Sequence, residues 1–366
     1  PGVSFFKYSN YSWQSQDNSG GNVYVKAVTV NGETADNELL AQYKEKLEPI
    51  YNTYKDISFK GISDTENYEN NNQRGFMAAK AAAKDILEND RGSVTDVKNC
   101  IARLSYFGKK IGGNIVRIST AQELADLAER VNSGDNFAET SIFLTNDISL
   151  EGVDIEPVGT EESAFTGKFY GGGHKIKLSG KSLFGYAENA TINNVVTEGT
   201  VLSDGTDYLG AVVKKAWNSS IVLCVNNAEV NNKGNKYAGG IAGSLVDCTT
   251  DDCENTGNVT ADDYAGGVVG CMFFSYYNSV LQTAKNSGNV SASVAGGIIG
   301  FSDRSDGGNG VFYLSGENSG SISGNYAGGI VGDSSYSINF EECSNKGSIT
   351  GAGAAAGILC RSSSSY

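Results

Sequence analysis

Few side chains in this sequence have the chemistry for catalysis. The chain has a single histidine, His174, in the glycine-rich stretch FYGGGHKI, and seven cysteines without a C-x-x-C pair. A Cys/His or Ser/His site would have to use His174, and one histidine is too few for a histidine-rich metal site. The neighbouring glycines suit a turn, so we interpret His174 as structural. The sequence predicts no catalytic residue, no metal site and no cofactor.

Carboxylates are the next candidates, because enzymes that cleave acidic polysaccharides use them for calcium binding or acid/base catalysis. They cluster in one part of the chain, at Asp251, Asp252, Glu254, Asp262 and Asp263. In the repeat alignment given below, Glu254 falls beside Lys285, which in turn neighbours Glu317. Alternating charges of this kind relieve like-charge repulsion on a solvated face. We therefore expect a surface ladder there and no acid/base pair.

Aromatic residues offer the best candidates for ligand binding. The segment CMFFSYYNS (271–279) joins two repeats and contains four of them, Phe273, Phe274, Tyr276 and Tyr277. Tyrosine contributes large contact areas at a low entropic cost, and loops of repeat proteins often carry the functional face. Trp217, in KKAWNSS, and Tyr313, in GGNGVFYLSG, are weaker candidates. The alternative, in which these rings pack inward or cover a flank, stays open at this stage.

The elements that would position these residues are repeats. A glycine-rich octet recurs, and its last seven residues are YAGGIAG (237–243), YAGGVVG (264–270), VAGGIIG (294–300) and YAGGIVG (326–332, in NYAGGIVG); an N-x-G-x-[VI] pattern precedes each copy. Aligned on one position, the copies fall at Ser182, Ala211, Gly240, Gly267, Gly297, Gly329 and Gly357, which are 27 to 32 residues apart. This period predicts a solenoid. Glycine pairs in every unit would cost a helix about 1 kcal/mol per glycine, so the units are built from strands.

A parallel β-solenoid stacks equivalent residues into columns about 4.8 Å apart. The predicted polar column consists of Asn226, Asn255, Asn286, Asn318 and Asn345, with Thr197 at its start. Asparagine is both donor and acceptor, so these side chains can bond along the axis and also hold their turns. Two aliphatic columns are expected to fill the interior, one from Val201 to Ile349 and one from Val212 to Ile358.

Three cysteines share a repeat position. Cys224, Cys253 and Cys343 each stand two residues before a ladder asparagine, where other copies have Ala284 and Gly316. Small residues at one position indicate a tight, buried slot, so we expect unreactive thiols. Cys224 and Cys253 would lie in adjacent coils, and a disulfide between them remains open.

The fold class is therefore mainly β, a parallel β-helix over residues 114–366, with repeats at 182–366 and irregular first coils at 114–181. A helix at 118–134, capped by Ser119 or Thr120, would cover the open N-terminal end of the solenoid. Residues 1–113 share no repeat. A strand at 23–30 and helices near 36–57, 73–89 and 93–108 predict a separate, largely helical α+β domain of unknown function.

These motifs resemble a known family. The G-G-I-V-G core after N-x-G-x-V is similar to the GLUG motif of bacterial surface proteins, and ISTAQELADLAERVNSG (118–134), IFLTNDISL (142–150), FTGKFYGGGHKIKL (165–178) and SLFGY (182–186) resemble the segment that introduces those repeats. The resemblance implies a right-handed β-helix in an exported lipoprotein, an adhesin-like protein or an accessory region of a surface enzyme. It implies the extracellular space or the outer-membrane surface of a Gram-negative bacterium. The last coil departs from the motif, with GAAAGILC at 353–360.

Charge restricts the partners. The formal net charge of −14 would repel phosphate backbones and anionic lipid surfaces, so we expect no nucleic-acid partner. No stretch approaches eighteen consecutive apolar residues, and no signal peptide follows Pro1. We expect a monomer, with a lipid anchor only on a full-length precursor.

The favoured function is non-enzymatic: a surface or secreted protein whose β-helix binds a glycan or an extracellular protein. The alternative is a polysaccharide lyase or glycoside hydrolase on the same scaffold. Few basic residues follow Ser182, which disfavours a lyase. A structural spacer is the third hypothesis.

Overall fold

The protein is mainly β, with a parallel β-solenoid of about eight turns and a few N-terminal helices. The computed structural model describes residues 5–6, 14–15, 33–57, 68–111, 114–274, 279–304 and 312–362. The predicted fold class is confirmed, while the right-handed sense of the coil stays a prediction.

The solenoid strands pair in parallel and in register from coil to coil. One sheet has seven strands: Phe184–Glu188, Val213–Trp217, Ala242–Val246, Val269–Phe274, Ile299–Arg304, Val331–Ser334 and Leu359–Ser362. The other hydrogen-bonded set has 24 strands: Asn114–Ile118, Thr140–Leu144, Ile148–Ser149, Lys168–Tyr170, Lys175–Gly180, Thr191–Asn193, Val196–Leu202, Tyr208–Gly210, Ser220–Val222, Val225–Asn226, Glu229–Asn232, Tyr237–Gly239, Thr249–Asp251, Glu254–Asn255, Val259–Ala261, Tyr264–Gly266, Ser279–Asn286, Val290–Ser291, Val294–Gly296, Phe312–Asn318, Ile322–Gly328, Ile338–Phe340, Ser344–Asn345 and Ile349–Ala356.

Aliphatic columns fill the interior. Val201 pairs with Val230, and the column continues in register to Ile349. The second column runs from Val212 to Ile358, and all its members before the last are fully buried. Each fully buried Val or Ile side chain stabilises the fold by about 1.5 to 3 kcal/mol. In the last coil Ile349 and Ile358 are only half-buried, because no further described coil covers them.

The asparagine ladder is a continuous hydrogen-bonded column. Nδ2 of Asn226 donates to Oδ1 of Asn255 at 2.8 Å, and the same bond repeats from Asn255 to Asn286, from Asn286 to Asn318 and from Asn318 to Asn345. At the start of the ladder, Oγ1 of Thr197 donates to Oδ1 of Asn226 at 2.8 Å. Each Nδ2 also donates to the carbonyl two residues on, 2.8 or 2.9 Å away. Every amide therefore ties its own turn and its neighbouring coil together.

The second glycine of each octet makes room for this ladder. A Cβ on Gly240 would stand 2.3 Å from Cγ of Asn255, and one on Gly267 would stand 2.3 Å from Cγ of Asn286. Real Cβ atoms do not approach this closely, so an alanine here would displace the ladder. The second glycine is thus required by an asparagine side chain that follows 15 to 21 residues later in the sequence, as Asn255 follows Gly240 and Asn286 follows Gly267.

A helix covers the N-terminal end of the solenoid. Helix α4 spans Ala121–Asn132, and its N-cap Thr120 forms a capping box with Glu123. Its buried face consists of Leu124, Leu127, Ala128 and Val131, which join the solenoid core. The predicted cap and apolar stripe agree with this arrangement.

Three further helices precede the solenoid: α1 (Glu33–Tyr54), α2 (Tyr68–Glu88) and α3 (Val94–Lys110). Ser93 caps α3 with a capping box to Asp96, and α1 continues through Pro49. Their core contains Leu47, Phe76, Ala83, Val97 and Leu104, and it also includes Phe143 and Tyr170 from the first coils. These two rings stack with their centroids 5.0 Å apart, so the helices pack on an aromatic patch of the solenoid.

Two short strands, Phe5–Phe6 and Gln14–Ser15, pair antiparallel near the N-terminus. The strand predicted at 23–30 lies outside the described residues. The division of the chain at residue 113 stays a prediction. In the part of the chain that the structure describes, every helix is too short or too polar to cross a membrane.

Candidate ligand-binding groove

The glycine-rich octet forms a re-entrant corner on the outside of the solenoid. A Cβ on Gly239 would point outward and stand 2.1 Å from the carbonyl oxygen of Ala242, and one on Gly266 would stand 1.9 Å from that of Val269. The outer faces of the two strands that meet at this corner are therefore turned toward each other. Repeated in successive coils, the corner produces a groove along the solenoid.

Two columns of side chains line what we name the aromatic groove. One wall consists of Tyr208, Tyr237, Tyr264, Val294 and Tyr326, in register. The facing wall consists of Lys215, Ser244, Cys271, Phe301, Asp333 and Arg361.

The tyrosines are half-buried and stacked. The ring centroids of Tyr208 and Tyr237 are 5.2 Å apart with the planes 6° from parallel, and Tyr237 and Tyr264 are 5.2 Å apart at 16°. Burial raises the pKa of the Tyr237 phenol, so it stays a neutral hydrogen-bonding group. Because stacking covers the ring faces inside the column, the middle of the wall presents ring edges and hydroxyl groups.

Side chains of the two walls touch across the groove. The ring of Phe301 lies 5.1 Å from that of Tyr264, and the Arg361 guanidinium lies 4.5 Å above the ring of Tyr326. Cys271 forms part of the buried floor, where burial raises the pKa of its thiol to about 12. This thiol is protonated at neutral pH and is not a nucleophile.

The N-terminal end of the groove opens into a cleft of about 560 Å³. We name it the terminal cleft; it lies where the regular repeats begin, and helix α4 and the loop around residue 160 contribute to its walls. Its lining residues include Asn132, Pro157, Thr160, Glu161, Tyr186, Thr206, Tyr208, Lys214 and Lys215. Tyr208 is the first ring of the tyrosine column, so Tyr237 covers one face only, and its other side borders the cleft.

Charges in the terminal cleft are paired. Nζ of Lys215 lies 2.6 Å from Oε1 of Glu161, and it also approaches the ring centroids of Tyr186 and Tyr208 to 5.6 and 5.2 Å. Lys214 pairs with Asp204. Burial raises the pKa of both phenols, Tyr186 and Tyr208. The cleft thus combines two neutral aromatic side chains with ammonium and carboxylate groups that can donate and accept hydrogen bonds.

Glu156 is a second carboxylate at the cleft. Its Oε1 lies 2.7 Å from Nζ of Lys181. Each glutamate of the cleft thus has a lysine partner.

The structure places the sequence-predicted aromatic residues in different environments. Phe273 is half-buried and its ring lies 6.1 Å from Phe301, at the edge of the groove. Phe274 is fully buried and contacts Phe312 and Tyr336, so the prediction that it meets a ligand is wrong. Strand alternation is the reason: Phe273 points outward and the next residue inward.

Trp217 and Tyr313 do not line the terminal cleft. Trp217 is 45% exposed on the outer face of the seven-stranded sheet, two residues from Lys215. Tyr313 is half-buried on the 24-stranded set, in register with Val280. Tyr276 and Tyr277 lie outside the described residues.

The other residues singled out by sequence have structural environments. His174 is in a turn, with Nδ1 3.3 Å from Oδ1 of Asp147 on the exposed surface. Cys224 and Cys253 are buried, free thiols in adjacent coils, and the pKa of Cys253 is raised well above its ordinary value by its hydrogen bond to Cys224 and by burial. Glu254, Lys285 and Glu317 are in register, which is the predicted alternating ladder. Among the described residues, no group of three or more His, Cys, Asp and Glu side chains could hold a metal ion.

Sequence reasoning missed the groove, although the signal was present. In three of the four octets a tyrosine, Tyr237, Tyr264 or Tyr326, precedes the Ala-Gly-Gly sequence. Both alternating sets of positions in the octet are apolar, so alternation did not show which side faces outward. Tyr186 and Lys215 could not be recognised as groove residues from the sequence, because they precede the well-formed repeats.

Comparisons with known proteins give little further information. No family model matches the chain, and no curated protein matches it. One solved structure is similar, described as "a putative immunoglobulin A1 protease from Bacteroides ovatus"; the TM-score is 0.48 and the identity 20%, over 66% of this chain and 84% of that chain. A likeness at this level carries no argument about activity. Membership of the GLUG-motif family is likewise not shown, and the similarity of the repeats stays a resemblance.

Proposed function

We propose that the protein is a non-enzymatic, exported binding protein that holds a glycan in the terminal cleft and along the aromatic groove. The observation that carries this proposal is the end of the tyrosine column. Tyr208 lines the cleft at the start of the column, with the Lys215 ammonium 5.2 Å from its ring centroid, and Tyr186 lies one coil away on the opposite wall.

Sugars suit this combination of groups. The C–H faces of a pyranose are apolar and pack against aromatic rings, while its hydroxyls need donors and acceptors. Lys215 and Glu161 supply both between the two rings. The two columns continue from the cleft along successive coils, a direction that suits a chain-like ligand, and such a chain would lie over the bridging contact of Phe301 with Tyr264.

Polysaccharide cleavage is the second candidate, because the cleft contains the carboxylates Glu156 and Glu161 near Lys214 and Lys215. Two observations favour binding over cleavage. Both glutamates are ion-paired with lysines, Glu156 with Lys181 and Glu161 with Lys215, as on an ordinary charged surface. The raised pKa values of Tyr186 and Tyr208 also disfavour a tyrosine base.

The test is a panel of plant, host and bacterial polysaccharides, with the same wells assayed for retained protein and for new reducing or unsaturated ends. We expect retention without products. Tyr208→Ala should lower retention about tenfold, since stacking on one ring contributes roughly 1 to 1.5 kcal/mol. Trp217→Ala, an exposed ring outside the cleft, is the matched control and should leave retention unchanged.

Other outcomes separate the alternatives. Products that disappear in Glu161→Gln would establish the enzyme hypothesis and end the proposal of a non-enzymatic protein. A loss of retention in Trp217→Ala with none in Tyr208→Ala would move the site out of the cleft. No retention of any polysaccharide would leave the spacer or a protein ligand.

A further inference from the structure

Asp333 is an unusual residue in the aromatic groove. It occupies the facing wall between Phe301 and Arg361, and its side chain is only 4% exposed. Its Oδ1 is buried and has no hydrogen-bond partner within the described structure. Leaving such an oxygen unpaired costs about 1 to 3 kcal/mol, and native proteins rarely retain this cost without a reason.

The neighbours of Asp333 do not satisfy this oxygen. Nε of Arg361 lies 3.6 Å from the other oxygen, Oδ2, which makes an ion pair and is too long for a hydrogen bond. The Arg361 guanidinium itself covers the ring of Tyr326, and Tyr264 stands on the opposite wall close enough for its pKa to be raised in part by the Asp333 charge. Oδ1 is therefore a buried acceptor without a partner among the described residues, on the facing wall between Phe301 and Arg361.

Charge decides which ligand group suits this acceptor. A cationic ligand group would be repelled by the Arg361 guanidinium, which already lies beside the carboxylate. An anionic ligand group would be repelled by the Asp333 carboxylate itself. A neutral hydroxyl donor would supply the missing hydrogen bond and add no charge, while the sugar ring to which it is attached could pack against Phe301 or Tyr326.

We propose that Asp333 forms a second subsite of the groove, in which Oδ1 accepts a hydrogen bond from a hydroxyl of a neutral saccharide chain. This inference rests on the proposed function and names its ligand class. Four coil steps separate Lys215 from Asp333, which is about 19 Å at the usual strand spacing. A chain held at the terminal cleft would have to extend over this distance to reach Asp333.

The test is titration calorimetry with short and long members of neutral oligosaccharide series, namely cello-, xylo-, manno-, malto- and laminari-oligosaccharides. The variant is Asp333→Asn, which keeps the shape of the side chain. For a chain long enough to reach both subsites, we expect Asp333→Asn to weaken binding about tenfold, since the hydroxyl then donates to a neutral amide oxygen and no longer to a carboxylate. Short members that fill the cleft alone should bind the variant and the wild type equally.

Two controls accompany the variant. Glu254→Gln removes one negative charge from an exposed residue beside the asparagine ladder and should leave every affinity unchanged. Tyr208→Ala should weaken the binding of short and long chains alike. A lysine-rich peptide serves as the cationic probe and should not bind.

The failures are distinguishable. Long chains could bind the wild type, with their binding weakened by Tyr208→Ala but not by Asp333→Asn. In that case the assignment of a second subsite is wrong and the proposed function stands. If the lysine-rich peptide binds and Asp333→Asn abolishes it, the site takes a cationic protein segment and the saccharide assignment is overturned. If no saccharide binds the wild type, the neutral-glycan assignment and the proposed function fail together.

Discussion

The interior asparagine ladder and the exterior aromatic groove are built from the same repeat. The polar side chains of the ladder are hydrogen-bonded, whereas the groove contains a buried polar atom without a partner in the described part of the chain. In the ladder, the side chains from Asn226 to Asn318 each donate to the next coil and to the carbonyl of their own turn. In the groove, Asp333 is buried with one oxygen unpaired, and Tyr208 ends its column beside a cleft. A satisfied buried network stabilises the fold, whereas an unpaired buried acceptor and a ring at the wall of a cleft are available to a ligand.

This difference separates residues that the fold needs from residues that are available for binding. Substitutions in the ladder should lower stability, and substitutions in the groove should change binding with a small or opposite effect on stability. The four predictions below test that separation, beginning with the largest expected effect.

Replacement of the central ladder residue should have the largest effect. Asn286→Ala removes the side-chain acceptor of Asn255 and the side-chain donor to Asn318 and to the carbonyl of Gly288. Oδ1 of Asn318 keeps only the backbone N–H of Gly320, at 3.2 Å. We expect the free energy of unfolding to fall by about 3 kcal/mol or more, because several buried groups lose a partner at once. Urea unfolding of Asn286→Ala measures this fall in the free energy of unfolding. Asn227→Ala, at an exposed asparagine beside the ladder, is the control. Equal effects of the two substitutions would contradict a special role for the ladder.

A methyl group at the second octet glycine should disturb the same ladder. In Gly267→Ala the new Cβ would meet the Asn286 side chain at 2.3 Å and the carbonyl of Gly297 at 2.1 Å. We expect a loss of about 2 kcal/mol, typical of overpacking. Gly357→Ala is the matched control, because it has the same repeat position in the last coil and nothing within 4 Å. Thermal unfolding should separate the two; a similar melting temperature for both would show that the ladder adapts without cost.

The end of the ladder should be less sensitive than its middle. Thr197→Val keeps the shape of the side chain and removes its hydroxyl, which donates to Oδ1 of Asn226. That oxygen still accepts from the backbone N–H of Ala228, so we expect a loss of about 1 kcal/mol. Urea unfolding of Thr197→Val and Asn286→Ala under the same conditions gives the ratio of the two losses in the free energy of unfolding. A loss as large as that of Asn286→Ala would mean that the column acts as one cooperative unit.

Asp333→Asn should change stability least, and in the opposite direction. Burial raises the pKa of the Asp333 carboxyl, against the guanidinium of Arg361 and the amide of Ser334, which lower it, while Asp303 nearby raises it further. A folded-state pKa above the unfolded value means that the carboxylate destabilises the fold at neutral pH. We expect Asp333→Asn to raise the free energy of unfolding by about 1 kcal/mol or less at pH 7.

The pH dependence supplies the check on that sign. As the pH falls through the raised folded-state pKa toward the unfolded value, near 4, Asp333 becomes protonated and its destabilising effect disappears. The difference in the free energy of unfolding between Asp333→Asn and the wild type should therefore become smaller from pH 7 to about pH 4. Urea unfolding midpoints of both proteins at the two pH values measure this difference. A variant that is less stable than the wild type at pH 7 would show that the carboxylate stabilises the fold.

Much of the fold could be predicted from the sequence. The period and the recurring N-x-G-x-[VI] pattern placed the asparagine and aliphatic columns correctly, because residues at one repeat position meet in register in a parallel solenoid. Thr120 with Glu123 and Ser93 with Asp96 could be recognised as helix caps, since a capping box is a local pattern. The candidate site was not recognised: Phe274 proved to be buried, and Tyr208 was not among the predicted ligand contacts.

The sequence by itself determined the coil and its interior, because translation by one repeat brings equal residues together whatever the shape of the coil. Only the tertiary structure decided that the octet corner is re-entrant, that Tyr264 faces Phe301 across it, and that Asp333 is left with a free oxygen. Those features depend on how two strands of one coil are oriented around a glycine corner. That orientation results from packing against the ladder and the core, and neither the repeat period nor the local alternation of residues contains it.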